Sequence, residues 1–350
     1  MFLKNCWYHA GWDFEVTLAH DALVTRRIAG ESLVLYRKPN GAVVAMEDRC
    51  PHRQAALSLG RKEGDALRCM YHGMKFAPDG KCIEIPGQTR IPEQACAHVY
   101  PVVERNNCIW VWMGEREKAD PALICSAVPL RDSPWHMLPG KMHVKANYRL
   151  EIANLADLSH LAWVHERTLG GSTRYAEVSP KFEITPRGLN TRFWVRSVPV
   201  QAAVAHLFPP GAHVDVYFEI QHTVPCNWIL HHRVFAPGTA ADDCSGGELL
   251  FETWTCQYVT PRDEDSIDYY YCWGPRHEQN LPGLSEMLRD TAEAAFIEDK
   301  LVLEAQHARI KEKPHYPQIS AAFDAGPGRM LWVLDNLLKA EAGESTAHLS

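Results

Sequence analysis

No run of 18 or more apolar residues occurs in the chain, so nothing in it reads as a membrane-spanning helix. There is no long basic stretch, and the net charge is −7, which argues against sequence-independent binding to nucleic acid. A glycine-rich dinucleotide fingerprint is missing, so no dinucleotide cofactor is expected to bind this chain directly. Internal repeats and low-complexity segments are lacking too. Residues 1–7 do not have the basic-then-apolar layout of a secretory signal, which makes a cytoplasmic location the expectation.

What is present is an ordinary globular composition, with 46% hydrophobic and 23% charged residues. A length of 350 residues suits about two domains and needs no staples to bury its cores. Eleven cysteines and eighteen histidines stand out. The cysteine count is odd and scattered from Cys6 to Cys272, so no disulfide framework is expected and most should be buried reduced thiols. Metal binding is the first chemistry to test.

The first third reads as β, with apolar runs at 32–37 and 42–46 around the turn Lys38-Pro39-Asn40-Gly41, a second turn at 77–81, and a buried strand at 108–113. The pattern weakens around 115–135, which divides the chain into a domain of residues 1–120 and one of 121–350. The second domain is expected to open with a strand at 143–150 and a helix at about 155–163. Strands follow at 190–195, 214–220, 228–235, 249–254 and 267–273, then helices at about 284–307 and 330–340. Many strands against two long helices argue for an α+β fold in which an antiparallel sheet grips a helix.

The strongest pattern is Cys50-Pro51-His52, then sixteen residues, then Cys69-Met70-Tyr71-His72. Each half offers one thiolate and one imidazole from the tip of a hairpin. Two Cys and two His suit either a structural zinc or a two-iron cluster with thiolates on one iron and imidazoles on the other. Zinc modules usually pair like with like, whereas here each loop mixes the two types and so reaches both irons. Exchanging two thiolates for neutral imidazoles also raises the reduction potential.

A second group lies in residues 151–165. His160 and His165 are five apart, about 140° on an ideal helix, so both can face one ion only if the helix ends or distorts between them. Asp157 is one turn before His160. Two histidines and a carboxylate on one face of iron leave positions open for O2 and substrate. The carboxylate has to come from elsewhere. Glu298 and Asp299 both sit among aliphatic helical neighbours, and periodicity does not choose between them.

With both constellations in place, the chain resembles the oxygenase component of Rieske non-haem iron monooxygenases over nearly its whole length. The likeness is carried by Asn5-Cys6-Trp7-Tyr8, the two Cys/His loops with Gly73, the strand around Trp110 and Trp112, and residues 154–165. Within the family, the closest pattern is the group of vanillate O-demethylase, dicamba O-demethylase and toluenesulfonate methyl-monooxygenase. The resemblance implies an N-terminal Rieske [2Fe–2S] β-domain held by Cys50, His52, Cys69 and His72, and a C-terminal helix-grip (START-like) domain holding one Fe(II) through His160, His165 and Asp299. It implies a ring-shaped homotrimer in which Asp157 links His160 to His72 of a neighbouring subunit, and it places Asn154 near the iron. It also implies a separate flavin and iron–sulfur reductase that delivers electrons from NADH. Three positions depart from the group: Ala153 where Asp is typical, and Met70 and Met74 where Pro and Trp are frequent.

The implied reaction is hydroxylation of a methyl group on a small aromatic acid, either O-demethylation of a methoxybenzoate or methyl hydroxylation of an aryl sulfonate. Alternatives are ring hydroxylation by the same iron, a non-catalytic Rieske electron carrier, and a zinc-stabilised binding protein. Candidate pocket residues are Trp194, Tyr217, Phe218, Trp228, Phe251 and Trp254. In His231-His232-Arg233, strand alternation points inward either His231 with Arg233 or His232 alone.

Overall fold

The computed structural model describes residues 1–19, 22–169 and 172–344. The chain divides into two compact units, one of Phe2–Ile124 with Thr260–Asp263, the other of Met1, Cys125–Val259 and the chain from Glu264 onward.

Among the described residues, the first unit contains three small antiparallel sheets. The expected hairpin forms, Glu31–Arg37 pairing with Val43–Glu47. A second hairpin, Ala66–Arg68 with Lys75–Phe76, carries Cys69 and His72 at its tip. The loop with Cys50 and His52 is not a hairpin tip, contrary to expectation. It leaves Val43–Glu47 and leads through a short 3-10 turn into Arg61–Glu63 of a different sheet. The two loops nevertheless share one backbone design. Cys50 N–H donates to Ala55 and Cys50 accepts from Gln54, while Cys69 N–H donates to Met74 and Cys69 accepts from Gly73. The turning residue is left-handed in both, Gln54 at φ 59° and Gly73 at φ 76°. Beneath them lies an apolar core of Val34, Tyr36, Met46, Leu57, Leu67 and Phe76.

Among the described residues, the second unit is built on seven strands: β1 (Leu138–Val144), β2 (Lys181–Thr185), β3 (Gly188–Pro199), β4 (His213–Thr223), β5 (Asn227–Phe235), β6 (Leu249–Asp263, whose last four residues belong to the first unit) and β7 (Ser266–Pro275). Their order in the sheet is β1-β7-β6-β5-β4-β3-β2. The described residues also form the α-helices α1 (Tyr148–Ala156), α2 (Leu284–Glu312) and α3 (Ala325–Glu341). Helix α2 packs on β1 and β7, and α3 packs on α1. None of the helices is long and apolar enough to cross a membrane, among the described residues.

Two expectations need correction here. Residues 143–150 alternate like a strand, yet the strand ends at Val144 and a helix begins at Tyr148. Asn147 caps it, its side chain accepting from Arg149 N–H at 3.0 Å, and burial then recurs at Tyr148, Glu151, Ile152, Leu155 and Ala156 with helical spacing. The helix expected at 155–163 is therefore mostly the end of α1 plus a 3-10 turn, Leu158–Ala162. Strand β2 was not foreseen. It is a half-exposed edge with little apolar alternation.

A candidate two-metal oxygenase site

In the first unit, Cys50 and Cys69 are each 2% exposed and share a side-chain hydrogen bond. His52 and His72 are exposed, their ring centroids 4.7 Å apart. Thiols thus pair on the inner side and imidazoles on the outer. That donor set suits an asymmetric two-iron cluster with a solvent-facing imidazole end. The base of the second loop is held by Arg68, which donates to the Gly73 carbonyl at 2.6 Å and pairs with Glu63 and Glu84. Hydrogen bonds from Arg68, then from Arg61 and Lys75, hold the Glu63 carboxyl far below the usual carboxylate range.

In the second unit, α1 stops at Ala156 and the chain turns twice before Leu169. Asp157 ends the helix and caps the following turn, its two carboxylate oxygens accepting from Ser159 N–H (2.8 Å) and Ser159 Oγ (3.0 Å). This break brings His160 and His165 together despite their spacing, with ring centroids 5.1 Å apart. Opposite them, α2 buries a stripe of Leu284, Leu288, Ala292, Ala295, Phe296, Asp299 and Leu303. Asp299 lies within that stripe and Glu298 at its edge, which resolves what periodicity left open. His160 Nε2 is 3.6 Å from Asp299 Oδ1, and His165 Nε2 is 3.1 Å from Asp299 Oδ2. Ligand atoms of all three lie within 4.8 Å of one another, a set with His165 and Asp299 buried and His160 partly so, fit for one metal ion with room for further ligands.

The other ring nitrogens of both histidines and the Asp299 carboxylate are also engaged. His160 Nδ1 meets the Asp157 backbone carbonyl, while the Asp157 carboxylate accepts from Ser159. His165 Nδ1 is 2.9 Å from Glu298 Oε2, and Thr168 Oγ1 donates to the same oxygen at 2.7 Å. Asn154 Nδ2 donates to Asp299 Oδ1 at 3.0 Å. Burial pushes the His160 pKa down against the attraction of Asp299. At His165, burial acts downward as well, but the carboxylates of Asp299 and Glu298 outweigh it and raise the value.

Next to this trio is a cavity of about 90 Å³. Its helical wall carries Asn154, His160, His165, Phe296 and Asp299. Its sheet wall is a set of cross-strand rungs, His232 opposite Thr253, Leu230 opposite Thr255 and Trp228 opposite Gln257. Trp228 Nε1, Trp273 Nε1, Thr253 Oγ1 and His232 Nε2 are all buried there without a partner. Burial, followed by His231, pushes the His232 pKa down to about 4, so the ring is neutral at pH 7.

Of the aromatic candidates, Phe218 and Trp228 line the cavity, while Trp194, Tyr217, Phe251 and Trp254 do not. Trp254 stacks on His231 on the opposite face of the sheet, and Trp194 packs on Tyr217 and Arg196. His232 alone points inward. His231 pairs with Glu252 at 2.8 Å and Arg233 with Glu219 at 2.9 Å. Sequence reasoning missed Thr253, Gln257 and Trp273. Alternation groups Thr253 with Gln257, but only the register against β5 says which face is inside. It also missed Glu151, which is wholly buried on α1 with Oε1 unpartnered.

The Rieske [2Fe–2S] domain family matches residues 6–95, and the vanillate O-demethylase oxygenase C-terminal domain family matches residues 144–340. The chain is 37% identical to the iron–sulfur subunit of a toluene-4-sulfonate monooxygenase system from Comamonas testosteroni, over 98% of this chain and 99% of that protein. It is 33% identical to the oxygenase subunit of vanillate O-demethylase from a Pseudomonas species, over 100% of this chain and 98% of that one. Among solved structures, dicamba monooxygenase bound to dicamba is similar with a TM-score of 0.85 at 27% identity, covering 98% of this chain and 99% of that chain. The same enzyme with non-heme iron and dicamba gives a TM-score of 0.80 at 26% identity, with 98% and 99% covered. The chain therefore belongs to the Rieske non-haem iron oxygenases, as the oxygenase component of a monooxygenase system that uses a [2Fe–2S] cluster and a mononuclear iron.

Proposed function

We propose that this oxygenase hydroxylates a methyl group of a small aromatic acid, releasing formaldehyde where the methyl is borne on oxygen and leaving a hydroxymethyl group where it is borne on carbon. The observation that carries this reading is the cavity itself. One wall carries the His160, His165 and Asp299 donors, and the other carries unpaired hydrogen-bonding groups on Trp228, His232, Thr253 and Trp273. A flat substrate lying between the walls directs its methyl at the first and an acceptor group, such as a carboxylate or sulfonate, at the second. Buried donors left empty are costly, so a ligand bearing acceptors is what the wall fits. The relatives named for toluene-4-sulfonate, vanillate and dicamba point to the same substrate class.

In this reading Cys50 and Cys69 hold one iron of the cluster, His52 and His72 hold the other, and His160, His165 and Asp299 hold the mononuclear iron. When bound, the cluster supplies electrons singly and the mononuclear iron supplies O2 activation. The chain contributes the rest. Asn154 orients the Asp299 carboxylate, the Asp157 carbonyl holds the His160 tautomer, and Leu155, Leu158, Leu161 and Phe296 keep the cavity dry.

The working form is a cytoplasmic homotrimer supplied by a separate NADH-dependent reductase. Association between chains is supported by exposed apolar residues, Met70 and Tyr71 beside His72, and Trp163, Leu301 and Val302 close in sequence to His160, His165 and Asp299. Asp157, whose backbone carbonyl meets His160, would link it to His72 of the partner subunit through its carboxylate, which in the single chain accepts from Ser159 and keeps lone pairs for a second donor. Asp157→Asn should leave both metal centres occupied and cut electron transfer, and normal turnover of that variant would remove the link.

The deciding experiment offers methoxybenzoates, 4-toluenesulfonate and simple benzoates to the fully loaded enzyme with a surrogate reductase, and scores NADH oxidation, formaldehyde and product mass together. A demethylated or hydroxymethyl product is expected. A cis-diol, or no oxygenated product from any of these acids, overturns the reading.

A further inference from the structure

We infer that Glu298, with Thr168 behind it, is the positioning residue of the mononuclear centre: it fixes the tautomer of His165 and strengthens that imidazole as a metal donor. The inference rests on the reading of His160, His165 and Asp299 as the metal's donors. A neutral imidazole carries one proton on one of two nitrogens. His165 Nδ1 lies 2.9 Å from a carboxylate oxygen of Glu298, so its proton belongs there as the hydrogen-bond donor. The lone pair of Nε2, on the Asp299 side of the ring, is then free for the metal.

The carboxylate is itself held in place. Thr168 Oγ1 donates to the same oxygen at 2.7 Å, from the turn that the bond between Leu169 N–H and the His165 carbonyl closes at 3.1 Å. Thr168, Glu298 and His165 thus form a chain of charge-assisted hydrogen bonds that ends at the metal-facing nitrogen. The two histidines are not equivalent. His160 Nδ1 faces only the dipole of the Asp157 carbonyl, whereas His165 Nδ1 faces a full negative charge.

Helix geometry explains how neighbouring acids take unlike roles. Successive residues point about 100° apart on α2. Asp299 enters the buried stripe, and Glu298, 28% exposed at its side chain, reaches round to the far edge of the same imidazole. A longer side chain is needed for that reach, which suits Glu at this position and Asp at the next.

The test uses the full chain with its cluster in place and reads Fe(II) affinity by competition with a chelator at fixed pH, together with the melting temperature of the iron-free protein. Glu298→Gln keeps the shape and removes the charge; Glu298→Ala removes both; Thr168→Val releases the carboxylate. Iron affinity should fall by roughly 10- to 100-fold in Glu298→Ala, by about 10-fold in Glu298→Gln and by less in Thr168→Val. A parallel spectrum with Co(II) in the site should shift in Glu298→Gln. Affinity within about twofold of the parent in Glu298→Gln or Glu298→Ala overturns the inference, as does a lowered melting temperature without a lowered affinity. A His165→Ala arm separates the two levels: if it leaves Fe(II) binding intact, the donor assignment is wrong, and if it abolishes binding while the Glu298 variants do not, only the role of Glu298 falls.

Discussion

The two metal regions are built in opposite ways. The Cys/His loops lie within 23 residues of sequence, from Cys50 to His72, and present their imidazoles to solvent. The His-His-Asp trio is assembled from a broken helix and from α2, with Asp299 lying 134 residues beyond His165, and its members are buried or nearly so. The difference follows from the tasks. A centre that only passes electrons gains from an exposed edge and needs no room for a substrate. A centre that meets substrate and O2 gains from a cavity that excludes water, which only long-range packing can enclose.

The largest expected effect breaks the two regions apart. His165→Ala or Asp299→Ala should lower turnover at least ~1,000-fold while the absorption spectrum of the cluster stays intact. Cys69→Ser should do the reverse, erasing that spectrum and sparing Fe(II) binding at the trio. If either substitution removes both metals, the regions do not assemble independently.

The next prediction concerns a feature found only in the buried region. Burial first, and Asp299 second, push the Glu151 carboxyl up from 4.5 to about 8. Between those values the folded state holds a proton that the unfolded state has lost, so stability falls as pH rises from about 4.5 to 8. The full shift corresponds to at most ~5 kcal/mol. Glu151→Gln should therefore raise the melting temperature of iron-free protein more at pH 8.5 than at pH 5.5. An equal change at both values would show that the carboxyl does not titrate this way.

A smaller effect sharpens the role of the cavity's sheet wall. Thr253→Val removes one unpaired hydroxyl at nearly constant volume and should weaken binding of 4-toluenesulfonate or 4-methylbenzoate by roughly 10-fold, the value of a hydrogen bond to a charged group. Calorimetry with the uncharged 4-methylanisole as control should show no comparable loss. Equal losses for charged and uncharged ligands would mean that Thr253 shapes the wall without reading an acceptor.

The smallest expected effect returns to the exposed loops. Gly73 is left-handed, and a Cβ there would lie 2.8 Å from Pro86 Cγ. Gly73→Ala should destabilise the cluster loop by about 1–2 kcal/mol, read as faster loss of the cluster spectrum on warming. Gln54, in the same conformation in the other loop, should gain stability on replacement by Gly, and no difference between the two would show that loop strain is not limiting.

These contrasts also explain what was legible in the chain. The Cys/His spacing is a local pattern, so it could be read directly, together with the strands at 190–273 and the long C-terminal helices. The break after Ala156 was anticipated only as a condition for His160 and His165 to meet, and its position was misread because residues 143–150 alternate like a strand. The inward face of β5 and β6 was open for the same reason, since alternation defines two faces and pairing decides which one is covered.

By itself, the order of residues determined the chemistry on offer: thiolates and imidazoles at fixed short spacing, a histidine pair, and two adjacent acids on an apolar helix. Tertiary structure alone decided that Asp299 faces the histidines while Glu298 backs one of them, and that His232 and Thr253 look into the cavity. The physical reason is range. Ligand spacing within one loop is set by a few backbone hydrogen bonds, whereas the direction a helix or strand presents to a distant partner is set by which face the rest of the fold buries.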